Sequence, residues 1–316
     1  MDVILHVGAH RTAATTFQAY MRANSEGLAR HGVGFWGPGR TRSGLFRGII
    51  PQPDGGPERR QAQRAAGRIA LAREAAGRSG VRQLVISDEG MLGSVRRNLA
   101  AGTLYPDAGA RLARHVSAFG SVDRIAISIR SPALYWASCL AEAVVRGHPL
   151  PTAAEIAEIA ALRRGWRAVI SDIAVAAGAG EVIVMAHEEL GGLPERRLWH
   201  MLGQTLLPPM THARDWLNHG PDLAALRTAL MTQGADPAAL PPGTGRWMPF
   251  DAAQQAAMHE DYADDLFWLA AGADGLARLA GEKAKLAGEA GTHPHPAEEL
   301  RGRHDDIEEG RMVGNR

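Results

Sequence analysis

Short apolar runs recur along the chain, and each is followed by a longer segment whose apolar positions return every three or four residues. The first run is Val3, Ile4, Leu5 and Val7, closed by Gly8; after it Phe17, Tyr20, Met21 and Leu28 follow at helical spacing up to His31-Gly32. Val33–Trp36 reads as a second strand. Positions 37–57 are rich in Gly, Pro and Arg and read as a long loop carrying Arg40, Arg42 and Arg47. A helix is expected over Glu58–Arg78, a strand over Gln83–Ser87, a helix over Pro106–Phe119 and a strand over Arg124–Arg130. Ser131 as N-cap and Pro132 at the first helical position open a further helix to about Arg146, with Gly147 as its stop.

Leu150–Glu158 reads as a loop or short helix, Ala161–Ala177 as a helix and Glu181–Met185 as a fourth strand ending in His187, Glu188, Glu189 and Leu190. Beyond Pro194 the pattern is helical, with helices expected over 195–203, 222–232 and 252–271 and no further strand. Strands alternating with helices predict an α/β fold of three layers, a mostly parallel central sheet flanked by helices, with a helical C-terminal part. One domain over 1–278 is expected, followed by a polar tail over 279–316. That tail carries His293, His295 and His304, which have no partner pattern for a metal.

Composition narrows the class. The 316 residues are 45% hydrophobic and 22% charged, enough for a real core, and the net charge of +1 gives no broad attraction to nucleic acid or membranes. The single cysteine, Cys139, excludes an intramolecular disulfide and a paired-cysteine zinc site. The first strand begins at once, leaving no room for a signal peptide, and Asp172 and Glu181 interrupt the longest apolar stretch. The expected setting is cytoplasmic, without a membrane span.

The chemistry gathers where strands meet helices. A strand that runs through small residues into a helix directs free N–H groups and the helix dipole at one spot, which suits an anion. Counted from Gly8, a nucleotide P-loop would need a second Gly, a Lys and a Ser or Thr; the chain has Ala13, Ala14 and Thr15, and its basic residue is Arg11. Arg130, Pro132 and Ser138 form a second junction, R-x-P-x5-S, where a guanidinium and a hydroxyl two helical turns on share one phosphate. Ser87, Asp88 and Glu89 end another strand on the same edge of the sheet.

HVGAHRTAATTFQ resembles the 5′-phosphosulfate loop of bacterial sulfotransferases, H-x-G-x-x-K-T-G-T-T-[ST]-x-Q. His6, Gly8, Thr12, Thr15, Thr16 and Gln18 match; Arg11 stands for Lys, Ala13 for Gly and Ala14 for Thr. Arg130, Pro132 and Ser138 resemble the family's 3′-phosphate motif. Gly245 and Arg246, in GRWMPFD, resemble the loop that closes over that phosphate. The resemblance implies a P-loop-related sulfotransferase fold, with 3′-phosphoadenosine-5′-phosphosulfate (PAPS) as co-substrate and no metal. It implies transfer of a sulfuryl group to a hydroxyl or amine of a small-molecule or glycan acceptor, a carbohydrate or glycolipid. Gly8, Arg11, Thr12, Ala13, Ala14, Thr15 and Thr16 would hold the 5′ end, and Arg130, Ser138 and Arg246 the 3′-phosphate.

Arg11, unlike Lys, cannot give up a proton and would act by charge alone. Glu89 is the expected base, its pKa raised by burial, or else a helix-terminal carboxylate. His10 is a donor or substrate contact, or a plain loop histidine, and His6 a core histidine. Two other readings remain: a kinase-like P-loop enzyme, disfavoured by the missing Lys, and a sulfotransferase-fold binding module that has lost catalysis.

Overall fold

Asp2–His6 forms strand β1 at the centre of the sheet, with Val3, Ile4 and Leu5 fully buried. A strand buried on both faces reads as a run of apolar residues, as Val3–Leu5 does between Asp2 and His6. The computed structural model describes residues 1–53, 56–217 and 219–281. Beside β1 stand β2 (Val33–Trp36), β3 (Gln83–Ser87), β4 (Arg124–Ile129), β5 (Glu181–Ala186) and β6 (Arg278–Ala280). All pairings are parallel, in the order β2-β3-β1-β4-β5-β6. Ile4 pairs with Val85 on one side, and Leu5 with Ile125 on the other. The chain builds to one side of β1 and then to the other, so β1 is the switch point, where α/β sheets open a crevice beyond their strand ends.

The helices are α1 (Ala14–Ala23), α2 (Ser25–Arg30), α3 (Glu58–Arg78), α4 (Val95–Ala101), α5 (Ala108–Phe119), α6 (Pro132–Val145), α7 (Ala153–Ala160), α8 (Trp166–Ala177), α9 (Pro194–Met201), α10 (Leu223–Thr232) and α11 (Ala252–Ala270). Alternation along the strands divides the core. Val3, Leu5, Ile125, Ile127 and Val184 face one layer with Leu112, Tyr135, Trp166 and Ile170. Ile4, Val85, Ala126 and Ile183 face the other with Phe17, Tyr20, Met21, Leu198 and Met201. The sheet is therefore the middle of three layers, and the α/β architecture is as the sequence predicts. Among the described residues no helix is long and apolar enough to cross a membrane.

Several boundaries differ from expectation, each for a local reason. The first helix is two, because the buried Asn24 side chain donates to the Tyr20 carbonyl at 3.0 Å and the Thr211 carbonyl at 2.9 Å. Helix α8 starts at Trp166 rather than 161. Asp265, from α11, caps it by accepting from the Trp166 N–H at 2.9 Å. Ser131 makes no side-chain cap on α6; Glu188 accepts from its N–H at 2.8 Å instead. Helix α4 was not expected, since VRRNLAA carries too few apolar residues. Strand β6 was not expected either. It corrects both the absence of a further strand and the tail boundary, because Arg278–Ala280 pairs with β5 across position 279. His293, His295 and His304 lie outside the described residues.

Burial of histidine sets an acid sensitivity. His115 is buried in α5 and bonded to the Arg111 carbonyl at 2.8 Å, and burial lowers its pKa to about 4. A group neutral in the fold and protonated when unfolded weakens the fold as pH drops below its unfolded value, near 6.5. Between pH 6.5 and 4 this residue alone should remove about 3 kcal/mol of stability. Urea midpoints across that range check it, and His115→Phe should flatten the slope.

Candidate functional site

The loop from β1 into α1 crosses the switch point. Gly8 has φ of +103°, and a Cβ there would come within 2.9 Å of the Glu89 Cβ, so only glycine lets the loop lie against the end of β3. Arg11 and Ala13 also take left-handed conformations, at φ of 60° and 62°. Ala13 is the N-cap of α1 and contributes no side-chain cap; the Phe17 N–H to Ala13 carbonyl bond, 3.1 Å, is the first of the helix. The amides of the turn before it have no intrahelical acceptor. Left-handed alanine costs about 1–2 kcal/mol relative to the right-handed form. Ala13→Gly should therefore stabilise the protein by roughly 0.5–1 kcal/mol, read as a higher denaturation midpoint.

Beside this loop lies a cleft of about 930 Å³ lined by His10, Arg11, Ala13–Thr15, Glu89, Arg130, Ser138, His187, Trp216 and Arg246, among others. Its size allows a nucleotide and a second molecule. The sequence-predicted residues Arg11, His10, Glu89, Arg130, Ser138 and Arg246 thus share one cavity. Arg130, at the end of β4, is only 6% exposed; its Nη1 donates to the Arg11 carbonyl at 2.8 Å and its buried Nε has no partner. Burial first, then the neighbouring Arg246, lowers its pKa to about 10, with Arg11 adding to the effect and Glu188 opposing it. A buried cation next to other cations, with a donor unused, is costly unless an anion joins it.

Other expected contacts are differently arranged. Arg11 donates from Nε to the Ser138 Oγ at 2.8 Å and pairs through Nη1 with Glu142 at 3.5 Å. Arg130 and Ser138 therefore meet through Arg11 rather than directly. The Thr12 hydroxyl is buried and donates to the Ala9 carbonyl at 2.8 Å. The Thr16 hydroxyl is bonded to the Leu217 backbone at 3.1 Å, fastening a strap from Trp216 to Gly220 across the site, Asn218 being outside the described residues. Gly220 lies against Arg11 and Ser138, and Trp216 packs edge-on against His187. Arg246 is brought in by the pairing of its segment with Asp222 and by the Leu223 N–H bond to the Gly245 carbonyl, 2.8 Å.

Glu89 corrects one expectation. Its Oε1 accepts from Arg42 at 2.9 Å and its Oε2 from Gln18 at 3.0 Å. Burial pushes its pKa up, but the Arg42 hydrogen bond and charge outweigh burial and Gln18 adds to them, so the carboxyl is held below the usual range rather than raised. Asp88 is held down in the same way: burial is outweighed by Arg42, at 2.7 Å, and by Thr41, at 2.5 Å. Thr41 and Arg42 belong to helical turns over Pro38–Leu45, within what the sequence reads as loop. Arg42 is thus an anchor on two carboxylates, and Arg40 stacks over Trp36 at 4.4 Å.

His10 is held by the buried Tyr105 hydroxyl. Asn98 donates to the Tyr135 hydroxyl at 3.0 Å, and the Tyr135 ring lies beside that of Tyr105, centroids 6.5 Å apart. The Tyr105 hydroxyl accepts from the His10 N–H at 2.9 Å and lies 2.8 Å from its Nδ1. Burial first, then the charges of Arg42 and Arg11, lowers the His10 pKa against the opposing pull of Glu89 and Asp88. A neutral ring whose Nδ1 accepts from Tyr105 carries its proton on Nε2, so His10 offers the cleft a donor.

Sequence reasoning missed Arg197. Fully buried, it donates to the carbonyls of Thr12 at 3.3 Å and Ala13 at 3.2 Å, to His6 Nε2 at 2.8 Å and to the Ser128 hydroxyl at 2.9 Å. Burial alone lowers its pKa to about 9. Because Arg197 only donates, His6 accepts at Nε2 and donates from Nδ1 to the Ser87 hydroxyl at 2.7 Å. Burial, then Arg197, keeps that imidazole neutral. The signal was present: Pro194, Arg197, Leu198 and Met201 occupy one helical stripe, and all four are buried. His187 and Arg197 each keep a buried nitrogen without a partner. Cys139 is free and buried, and burial pushes its thiol up to about 12, which makes it inert.

Set against known proteins, the chain matches no protein-family model, no curated protein and no solved structure.

Proposed function

We propose that the chain is a PAPS-dependent sulfotransferase, as its two junction motifs suggest. The observation that carries this reading is Arg130: a buried guanidinium with an unpartnered Nε, flanked by Arg11 and Arg246 and facing the same cleft as the N-terminus of α1. That makes two anion-seeking spots on separate strand-to-helix junctions, which suits a nucleotide charged at both its 3′ and 5′ ends.

In this reading the α1 turn takes the 5′-phosphosulfate, and Arg130 with Arg246 takes the 3′-phosphate. Trp216 on the strap offers a flat face for the base. The acceptor oxygen forms a bond to sulfur as the bond from sulfur to the 5′-phosphate oxygen breaks, and the acceptor proton passes to Glu89. Charge on the leaving phosphate is met by Arg11 and by the His10 Nε2–H. Products are a sulfate ester and adenosine 3′,5′-bisphosphate. The kinase-like alternative loses support at Asp88, which is buried beneath Thr41 and Arg42 and, unlike Glu89, does not line the cleft where a magnesium ion would meet the phosphates.

One observation favours a second reading, a binding module that keeps the nucleotide and has lost catalysis. Arg11 is folded onto Ser138 and Glu142, so its charge is partly neutralised where the family's Lys would act. Incubation with PAPS and a panel of hydroxyl acceptors decides between them. Release of adenosine 3′,5′-bisphosphate that depends on the acceptor supports the enzyme; tight bisphosphate binding without turnover supports the module.

A further inference from the structure

The cleft continues past Glu89, away from Arg11, Arg130 and Arg246, and its walls change character. Helix α4 follows Glu89 closely and contributes Val95 and Leu99; Leu140 of α6 faces the same space, with Ile159 of α7 and Leu162 just beyond it. Helix α7 is unusual in this fold. Its sequence, AAEIAEIA, is mostly apolar, yet it buries none of its residues, and Ile159 and Leu162 stay half-exposed in the wall of the cleft. Short helices draw most of their stability from packing an apolar face. This one leaves that packing incomplete on the side that faces the cavity.

Polar groups in this half are engaged with one another or stand at its exposed edge. Glu155 is held in a capping box with Thr152, and Arg146 pairs with Glu142 at 2.7 Å. Arg96, His148 and Glu158 stand at the exposed edge. The tryptophan of the lining, Trp216, is at the arginine end against His187, so this half offers no indole or phenyl face for a sugar ring to stack on.

We infer that this half of the cleft takes an acceptor whose hydroxyl is carried on an extended apolar body, with the apolar part between α4, α6 and α7 and the hydroxyl toward Glu89. The inference rests on the sulfuryl-transfer reading for the fate of the hydroxyl, and on the lining alone for the apolar body. It narrows the acceptor from carbohydrates in general to lipid-like alcohols, including glycolipids that insert their apolar portion.

Calorimetry with hexan-1-ol, octan-1-ol and decan-1-ol tests it on the whole chain without the sulfuryl donor. Burial of each methylene should tighten binding about fourfold, so affinity rises steeply along the series. Leu99→Gln and Ile159→Gln each place an amide on a half-exposed wall position; each should weaken octan-1-ol binding about tenfold or more while leaving adenosine 3′,5′-bisphosphate affinity unchanged. Affinity that does not grow with chain length, or is unaffected by both variants, would overturn the inference, as would tighter binding of a free disaccharide than of any alcohol in the series. Failure of the bisphosphate to bind, with the alcohol series behaving as expected, would count against the donor reading and leave the apolar pocket standing.

Discussion

Glu89→Gln should lower the rate of sulfuryl transfer by roughly a hundredfold, the low end of the range for loss of a general base because its held-down pKa makes it a weak one, with bisphosphate affinity changed less than a few-fold. The substitution keeps size and shape but removes the proton acceptor. Arg130 and the α1 turn, the proposed nucleotide anchors, are untouched. The pH profile should carry the signature of the Arg42 contact. As the proposed base Glu89 would act only when ionised, so activity should be lost as pH falls through its pKa. Because Arg42 and Gln18 outweigh burial and hold that pKa down, the acid limb should lie below the ordinary glutamate value of about 4.3. In Arg42→Ala the strongest contribution opposing burial is gone, and the limb should move to higher pH. Transfer by Glu89→Gln within tenfold of wild type would remove Glu89 from the mechanism.

The second large effect is at Arg130. Removing one member of a buried, hydrogen-bonded charge pair costs about 2–5 kcal/mol, or roughly thirty- to several-thousand-fold in affinity. Arg130→Ala should therefore weaken adenosine 3′,5′-bisphosphate by about a hundredfold or more, and adenosine 5′-monophosphate, which lacks the 3′-phosphate, much less. Arg130 also holds the Arg11 carbonyl at 2.8 Å, so some loss at the 5′ end accompanies it. Arg130→Lys keeps the charge but gives up the planar fork, and should recover only part of the affinity. Equal losses for both nucleotides would mean that Arg130 shapes the loop without reading the 3′-phosphate. Thermal midpoints guard against misfolding, and because the substitution removes an uncompensated buried cation they should fall little.

How much of this was legible in the sequence depends on the range of the signal. The strand, loop and helix at Val3–Met21, and the Arg130-Pro132 junction, announce themselves because apolar periodicity and helix-start chemistry act within a few residues. The parallel sheet followed from that alternation. What was hidden acts between distant segments. Arg42 reaches Glu89 across 47 residues and reverses the expected direction of its pKa. Asp265 caps α8 from 99 residues away, and Arg197 supports the loop and His6 from 191 residues away. The strap from Trp216 to Gly220 had no pattern of its own, and its contact with Thr16 converts an expected ligand hydroxyl into a fastening. Strand β6 is too short, at Arg278–Ala280, for periodicity to reveal it.

A nucleotide phosphorylated at both its 3′ and 5′ positions is the proposed occupant of the cleft. Isothermal titration of the whole chain with adenosine 3′,5′-bisphosphate, with adenosine 5′-monophosphate and with magnesium-ATP tests it most directly. The bisphosphate should bind at least tenfold more tightly than either of the others, and Arg130→Ala should abolish this preference. Tight binding of magnesium-ATP with no gain from the 3′-phosphate would contradict it.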